Sequence, residues 1–337
     1  MKAIKELHGV IVGLGSIGNR HMRILARQIG KLTVVRRKQS NSQFKPLEGV
    51  AVVHAIQDAI ATDPDFAVIC NPSHLHVTSA HQFLTAGIPA LIEKPLGRNV
   101  DESCDQLLRL VADSEVGRKS AMAYCMRFHS AYSAANRMVK SGTIGRCLYA
   151  KAWFEGYLPD WHAWEDHRQS YAAHAETAGG ALRTLDHEID FLNWVLGPAI
   201  SSLGMTANTG AIEIAADDVA MVTSEHPGNI HSQITLSMCR KPPSRGFELI
   251  GDERIIRFTM ESEKLTLQSH DGVVDEVARF SPVDINSMYV DMVADYLNLL
   301  VGQPTSGVLA TINDAINSLT VIDSLNSRVN NSGHLSP

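Results

Sequence analysis

The residues with the clearest chemical potential lie in the first third of the chain. Gly13-Leu14-Gly15-Ser16-Ile17-Gly18 is a G-x-G-x-x-G set, placed directly after an apolar run at His8–Val12 and directly before a helix-like segment at Asn19–Ile29. That order reads as strand, tight turn, helix. Gly13 permits the turn, Gly15 lets a diphosphate approach the backbone, and Gly18 lets the helix pack close to the strand. Ser16 and Ile17 lie where free N–H groups and the positive helix end face the phosphates. The spacing predicts a dinucleotide site; the plain alternative is a glycine turn.

Two later segments have the same character. Cys70-Asn71-Pro72-Ser73-His74-Leu75-His76 ends an apolar run, and ligands of open parallel sheets sit beyond the carboxyl ends of the strands. Asn71 offers an amide there, and Cys70 and Pro72 belong to the same cofactor-facing turn. His74 and His76 line the cofactor or cap the next helix. Ile92-Glu93-Lys94-Pro95 ends the next strand. Glu93 and Lys94 are either a surface ion pair worth almost nothing or part of the site. In the second case a fixed Lys94 ammonium near the nicotinamide bonds a substrate oxygen and stabilises developing alkoxide charge. Pro95 keeps the segment extended.

These residues need a parallel sheet to position them. Strands are predicted at Val10–Val12, Leu32–Val35, Val50–His54, Asp65–Cys70, Pro89–Ile92 and Ser120–Tyr124, with helices at His74–Ala86 and Val100–Ser114. Apolar runs of this length separated by helices suit a doubly wound Rossmann domain over residues 1–123. Beyond Tyr124 the rhythm changes. A helix at Tyr132–Ser141 stops at Gly142, a strand spans Cys147–Glu155, and a helix at Ala181–Leu196 stops at Gly197-Pro198. Seven β-like runs follow at 201–208, 217–226, 229–239, 246–250, 254–260, 264–269 and 273–278, and helices at Met288–Val301 and Ala310–Val329 close the chain. This predicts a second α/β domain over residues 124–337, built on a large, mostly antiparallel open sheet, with a polar, frayed tail from Asn330 to Pro337.

The end of the second predicted strand bears on the choice of cofactor. NAD enzymes usually place an acid there for the ribose hydroxyls. Here the run is Arg36-Arg37-Lys38-Gln39-Ser40-Asn41, without an acid. Arg36 and Arg37 would suit a 2′-phosphate, so NADP(H) is favoured over NAD(H); the alternative is a solvated basic turn.

Composition excludes several function classes. With 337 residues and a net charge of −6, the chain has no basic excess suited to nucleic acid or an anionic membrane. Met1–Glu6 carries no apolar signal region and no stretch is long enough to span a bilayer. Cys70, Cys104, Cys125, Cys147 and Cys239 are odd in number and include no C-x-x-C, which points to reduced thiols and a cytoplasmic protein. The 15 histidines form no metal-ligand pattern, so no metal is expected.

With the glycine turn and Glu93-Lys94-Pro95 in hand, the chain resembles the glucose–fructose oxidoreductase / inositol dehydrogenase (Gfo/Idh/MocA) family. Gly15–His21 resembles that family's phosphate turn, Asn71–His76 its fourth-strand tip, Tyr124–His129 the entry to its second domain, and Gly179–Leu182 running into His187–Asp190 its catalytic helix. The resemblance implies a Lys94–Pro95 bond that is cis, an open sheet used for oligomerisation as a homodimer or homotetramer, and hydride transfer between a nicotinamide and a carbon of a sugar, sugar acid, cyclitol or sugar nucleotide. It also implies His187 as the acid–base group. The family's common Asp-x-x-x-His pattern is one residue shorter here: Thr184 stands where the aspartate is expected, and Asp186 either substitutes for it or caps the helix. Asp190, three residues after His187, shares its helix face and either orients the ring or ties the helix down. In the mechanism so implied, His187 takes the hydroxyl proton as hydride leaves the same carbon, and Lys94 holds the oxygen.

Residues 157–171 carry Trp161, His162, Trp164, Arg168 and Tyr171. Aromatic faces with hydrogen-bonding neighbours suit a sugar ring, and Arg168 suits a carboxylate or phosphate; a packed structural loop is the alternative. Arg127 is a second anion ligand, for cofactor or substrate. Two other functions compete: a lyase or glycosidase that uses tightly bound NAD(H) for transient oxidation, and a non-catalytic dinucleotide sensor.

Overall fold

His8–Val12 is buried at every position and forms β1, the middle of a six-stranded sheet. It is followed by α1 (Ser16–Leu25), β2 (Lys31–Val35), β3 (Ala51–Val53), α2 (Ile56–Ile60), β4 (Phe66–Ile69), α3 (His76–Thr85), β5 (Ala90–Ile92), α4 (Glu102–Val111), α5 (Glu115–Arg118) and β6 (Ala121–Met122). The strand order is β3-β2-β1-β4-β5-β6, every pair parallel. Continuous burial of β1 and β4 follows from helices on both faces. The computed structural model describes residues 2–40, 42–112, 114–161, 165–280 and 285–329; the expected tail, 330–337, lies outside them.

The second sheet has eight strands, built from β7 (Cys147–Tyr157), β8 (Ser201–Ala207), β9 (Val219–His226), β10 (Ile230–Ser237), β11 (Cys239–Gly251), β12 (Arg254–Thr259), β13 (Lys264–Ser269) and β14 (Val274–Arg279). Their order is β14-β13-β12-β11-β7-β10-β9-β8. All neighbours are antiparallel except β7 and β10. The helices of this part are α6 (Ser130–Lys140), α7 (Ala181–Thr184) and α8 (His187–Leu196); α9 (Ile285–Leu300) and α10 (Ile312–Val329) close the chain. One face of the sheet is covered by α6 and α8 around a ring cluster, with Tyr132 4.7 Å from Phe191 and 5.0 Å from Phe247, centroid to centroid. Edge-to-face rings at this spacing add to the burial of apolar area. The other face leaves Tyr149, Leu203, Met205 and Met221 exposed.

Three features depart from the sequence reading. The chain separates into the units Met1–Phe128 with Ile285–Ala315, and His129–Asp284 with Ile316–Pro337, so the α9 region returns to the first unit. The helix expected over Ala181–Leu196 is two helices, broken at Leu185 (φ −104°, ψ 28°). β11 extends back to Cys239 through Pro242 and Pro243, which argue against a strand. A register shift between Cys239 and Ser244 takes those prolines out of the ladder.

His129 caps α6: its Nδ1 accepts the Ala131 N–H at 3.2 Å. Burial, aided by the Arg245 charge, pushes its pKa from 6.5 to about 4. The unfolded chain therefore takes up a proton between those values that the folded chain refuses. The resulting stability is complete above pH 6.5 and declines as pH falls, by about 3 kcal/mol once the folded value is passed. His129→Asn keeps a capping acceptor and removes the titration. Its urea-unfolding free energy should fall less than wild type's between pH 7 and pH 4.5; equal declines would clear His129 as the source of acid sensitivity.

Candidate active site

The glycine turn is built as its spacing requires. Gly13 has φ +94°, and a Cβ there would lie 2.8 Å from the Asn71 backbone. A Cβ on Gly18 would lie 2.1 Å from the Gly13 carbonyl oxygen, so helix and turn touch directly. Gly15 is different: a Cβ would meet nothing within 4 Å. It is the N-cap of α1 and supplies no side-chain cap. Ser16 is exposed and Ile17 half-buried. The Gly15 position is therefore open at the end of α1 where helical N–H groups lack intrahelical partners, which fits an anionic diphosphate.

Next to the turn, the Arg36 guanidinium donates to the carbonyls of Phe44 at 2.9 Å and Ser42 at 2.7 Å. The Ser42 hydroxyl in turn donates to the Leu14 carbonyl. Arg36 therefore braces its loop against the glycine turn, a task different from the phosphate contact expected of it. Arg37 and Lys38 are exposed; Asn41 lies outside the described residues.

At the strand tips, Asn71 donates from Nδ2 to the Ser79 hydroxyl at 2.8 Å, while its buried Oδ1 has no partner among the described residues. Burial raises the Cys70 thiol well above its ordinary pKa, so it stays protonated. Pro72 and His74 are exposed. His76 is buried, with Nδ1 2.8 Å from the Pro95 carbonyl and Nε2 2.7 Å from that of Asn71. It braces two strand tips instead of lining a cofactor surface, and burial lowers its pKa. Glu93 is also buried, Lys94 is partly exposed, and the Lys94–Pro95 peptide is cis. Arg127 is buried against Asp314, with Nη1 3.4 Å from Oδ2.

In the second unit, Gly179 and Gly180 lead into α7. A Cβ would lie 2.3 Å from the Tyr171 carbonyl oxygen at the first and 2.1 Å from the Asp217 carboxylate at the second. Asp217, which sequence reasoning missed, accepts the Leu182 N–H at 2.9 Å; burial raises its pKa. The break at Leu185 makes His187 the first residue of α8, half-buried between the buried Asp186 and Glu188. Asp186 occupies the N-cap position, yet its side chain makes no capping bond, so capping is not its task. Thr184 and Asp190 are buried as well. Glu188, also missed, accepts from Arg245 Nε at 2.7 Å and ties α8 to β11.

The loop candidates divide. Trp161 stacks on Phe154 at 6.1 Å, and Tyr171 is exposed. Arg168 donates from Nε to Asp166 Oδ1 and from Nη2 to Oδ2, and its Nη1 lies 3.3 Å from Glu213, so loop carboxylates already meet its charge. His162 and Trp164 lie outside the described residues. Among the described residues no group of three or more side chains could hold a metal, and no helix is long and apolar enough to cross a membrane.

A parallel six-stranded sheet with a glycine turn beyond β1, joined in one chain to an eight-stranded open sheet, defines a two-part nucleotide-binding architecture. Residues 7–117 match the model described as oxidoreductase family, NAD-binding Rossmann fold, and residues 132–257 match the GFO/IDH/MocA C-terminal domain. The chain belongs to the Gfo/Idh/MocA oxidoreductase family. It is 24% identical over 234 residues to the 2,7-anhydro-N-acetylneuraminate hydratase of Mediterraneibacter gnavus, covering 67% of this chain and 60% of that protein. It is 26% identical over 244 residues to the inositol 2-dehydrogenase of Rhodococcus erythropolis, covering 68% and 65%. The matches thus span less than two thirds of these relatives' lengths. A levoglucosan dehydrogenase in complex with NADH superposes with a TM-score of 0.80 at 16% identity, over 97% of each chain, and shares the fold.

Proposed function

We propose that this protein is a nicotinamide-dependent oxidoreductase acting at a hydroxyl-bearing carbon of a sugar, sugar acid, cyclitol or sugar nucleotide. One observation carries the reading: the uncapped N-terminus of α1 behind the open Gly15 position, in a chain of this family. Gly13, Gly15, Ser16, Ile17 and Gly18 would hold the diphosphate through backbone groups, with Asn71 at the neighbouring tip. When bound, the coenzyme accepts or supplies the hydride. Lys94 donates to the substrate oxygen and stabilises its negative charge, while His187 takes the hydroxyl proton and returns it in the reverse direction. Tyr171 and Trp161 supply aromatic surface for a sugar ring, whereas the loop carboxylates around Arg168 make it a poor anion ligand. The test is turnover against a panel of sugars, sugar acids and inositols, followed through the near-ultraviolet absorbance of the reduced coenzyme. No change with any substrate, together with no coenzyme uptake by calorimetry, would defeat the reading.

A second reading, transient oxidation with no net coenzyme consumption, is supported by the similarity to a hydratase. Product formation at constant coenzyme absorbance identifies it.

NADP(H) preference is supported by the absence of an acid after β2 and by the exposed Arg37 and Lys38. Removing a charge-assisted contact to the 2′-phosphate in Arg37→Ser should weaken NADPH binding by about tenfold or more and leave NADH binding unchanged. Equal effects on both coenzymes would return Arg37 to the role of a solvated turn residue. The exposed apolar side chains of the open sheet support a homodimer or homotetramer, which light scattering would measure. Free thiols at all five cysteines suit a reducing compartment such as the cytoplasm.

A further inference from the structure

Two ionisable side chains far apart in sequence are buried together beneath the glycine turn. His21 of α1 is 0% exposed and Glu93, just past β5, is 4% exposed, with His21 Nε2 2.8 Å from Glu93 Oε1. The same carboxylate makes a second bond, as Oε2 accepts the Lys94 backbone N–H at 3.2 Å. The last ladder bond of this strand runs from the Glu93 N–H to the Ile69 carbonyl at 3.0 Å. Beyond it the main chain leaves the sheet, and the Glu93 side chain bonds the Lys94 peptide there. His76 holds the far side through the Pro95 carbonyl.

The His21 ring is itself immobilised. Tyr289 lies edge-on at 5.7 Å and an 80° interplanar angle, and the Arg20 guanidinium covers the Tyr289 ring at 4.6 Å. His21 Nδ1 has no hydrogen-bond partner among the described residues, so the ring's one polar contact is with Glu93. A buried polar group with a single partner is costly to detach from it. The helix that carries the diphosphate seat thus also grips the residue next to Lys94.

We propose that His21 and Glu93 are positioning residues for Lys94: His21 orients the Glu93 carboxylate, and the carboxylate holds the Lys94 peptide. This rests on the reading of Lys94 as the group that binds the substrate oxygen. A one-ångström displacement of such a group is enough to cost about a hundredfold in rate.

The test compares wild type, His21→Leu, His21→Gln, Lys94→Ala and the His21→Leu/Lys94→Ala double variant. In the protein alone, amide exchange followed by NMR should be at least about tenfold faster at Lys94 in His21→Leu, with the Glu93 and Ile92 amides still protected. His21→Gln, which keeps a donor, should restore protection. Unchanged Lys94 protection in folded His21→Leu, or a uniform loss along β5, would overturn the proposal. In turnover on a substrate identified with the panel described above, His21→Leu should lower kcat with little change in coenzyme KM and have no further effect in the Lys94→Ala background. Additive losses would mean that His21 acts elsewhere. If Lys94→Ala is itself fully active, the functional reading fails while the exchange result stands.

Discussion

His187→Ala is expected to bind reduced coenzyme as wild type does and to turn over roughly 10²-fold or more slowly. The expectation rests on where the chain breaks. Had Ala181–Leu196 been one helix, the residue at 187 would lie in mid-helix with turns on both sides. The break at Leu185 instead starts α8 at His187, half-buried, with buried residues before and after it. A side chain at the first helical position reaches outward without crossing a preceding turn, as proton exchange with a ligand requires. His187→Gln should be almost as slow, because an amide of similar reach cannot exchange a proton at neutral pH. Calorimetry with NADPH and steady-state turnover separate the outcomes. Turnover within threefold of wild type would remove His187 from the chemistry, and a parallel loss of coenzyme affinity would make it a binding residue.

Arg245→Leu is expected to cost about 3–5 kcal/mol of folding stability, the usual penalty when one partner of a buried ion pair is removed. Glu188 is 0% exposed and the Arg245 side chain 13% exposed, with 2.7 Å between Nε and Oε1. The guanidinium also lies 4.6 Å from the Phe154 ring centroid, so its loss removes a cation–π contact. Because Glu188 follows His187 directly, the same substitution should lower turnover in whatever fraction remains folded. Urea denaturation measures the first effect. Glu188→Gln/Arg245→Leu, which removes both charges, should recover part of the loss. A cost below about 1 kcal/mol for Arg245→Leu would show that water or other groups accommodate the carboxylate.

Local rules made much of this protein legible. The glycine turn needs only one positive-φ residue, one open position and one close helix contact, and all three lie within six residues. The continuous apolar runs of β1, β2 and β4 read as parallel strands because burial on both faces leaves no polar alternation. Lys94 and His187 stood out as candidates through their short motifs. Other features were hidden for identifiable reasons. The break at Leu185 carries no glycine or proline, and the buried Asp186 looks like an ordinary cap in sequence. β11 was cut short because two prolines oppose a ladder, and only the register shift beside them lets the strand continue. Arg36 read as a phosphate ligand, but the loop that folds back to receive its guanidinium is visible only in three dimensions.

The chain by itself determined its class: the turn, the strand–helix alternation and the change of rhythm after Tyr124 follow from contacts within a few neighbours. Tertiary structure alone decided which ionisable groups share an environment. His21 meets Glu93 across 72 residues, Glu188 meets Arg245 across 57, and the α9 region returns to the first unit after the second sheet is complete. The physical reason is range. Backbone propensity and periodic burial are set by adjacent residues, whereas the pairing of buried charges is set by which elements pack together, and no local pattern encodes that choice.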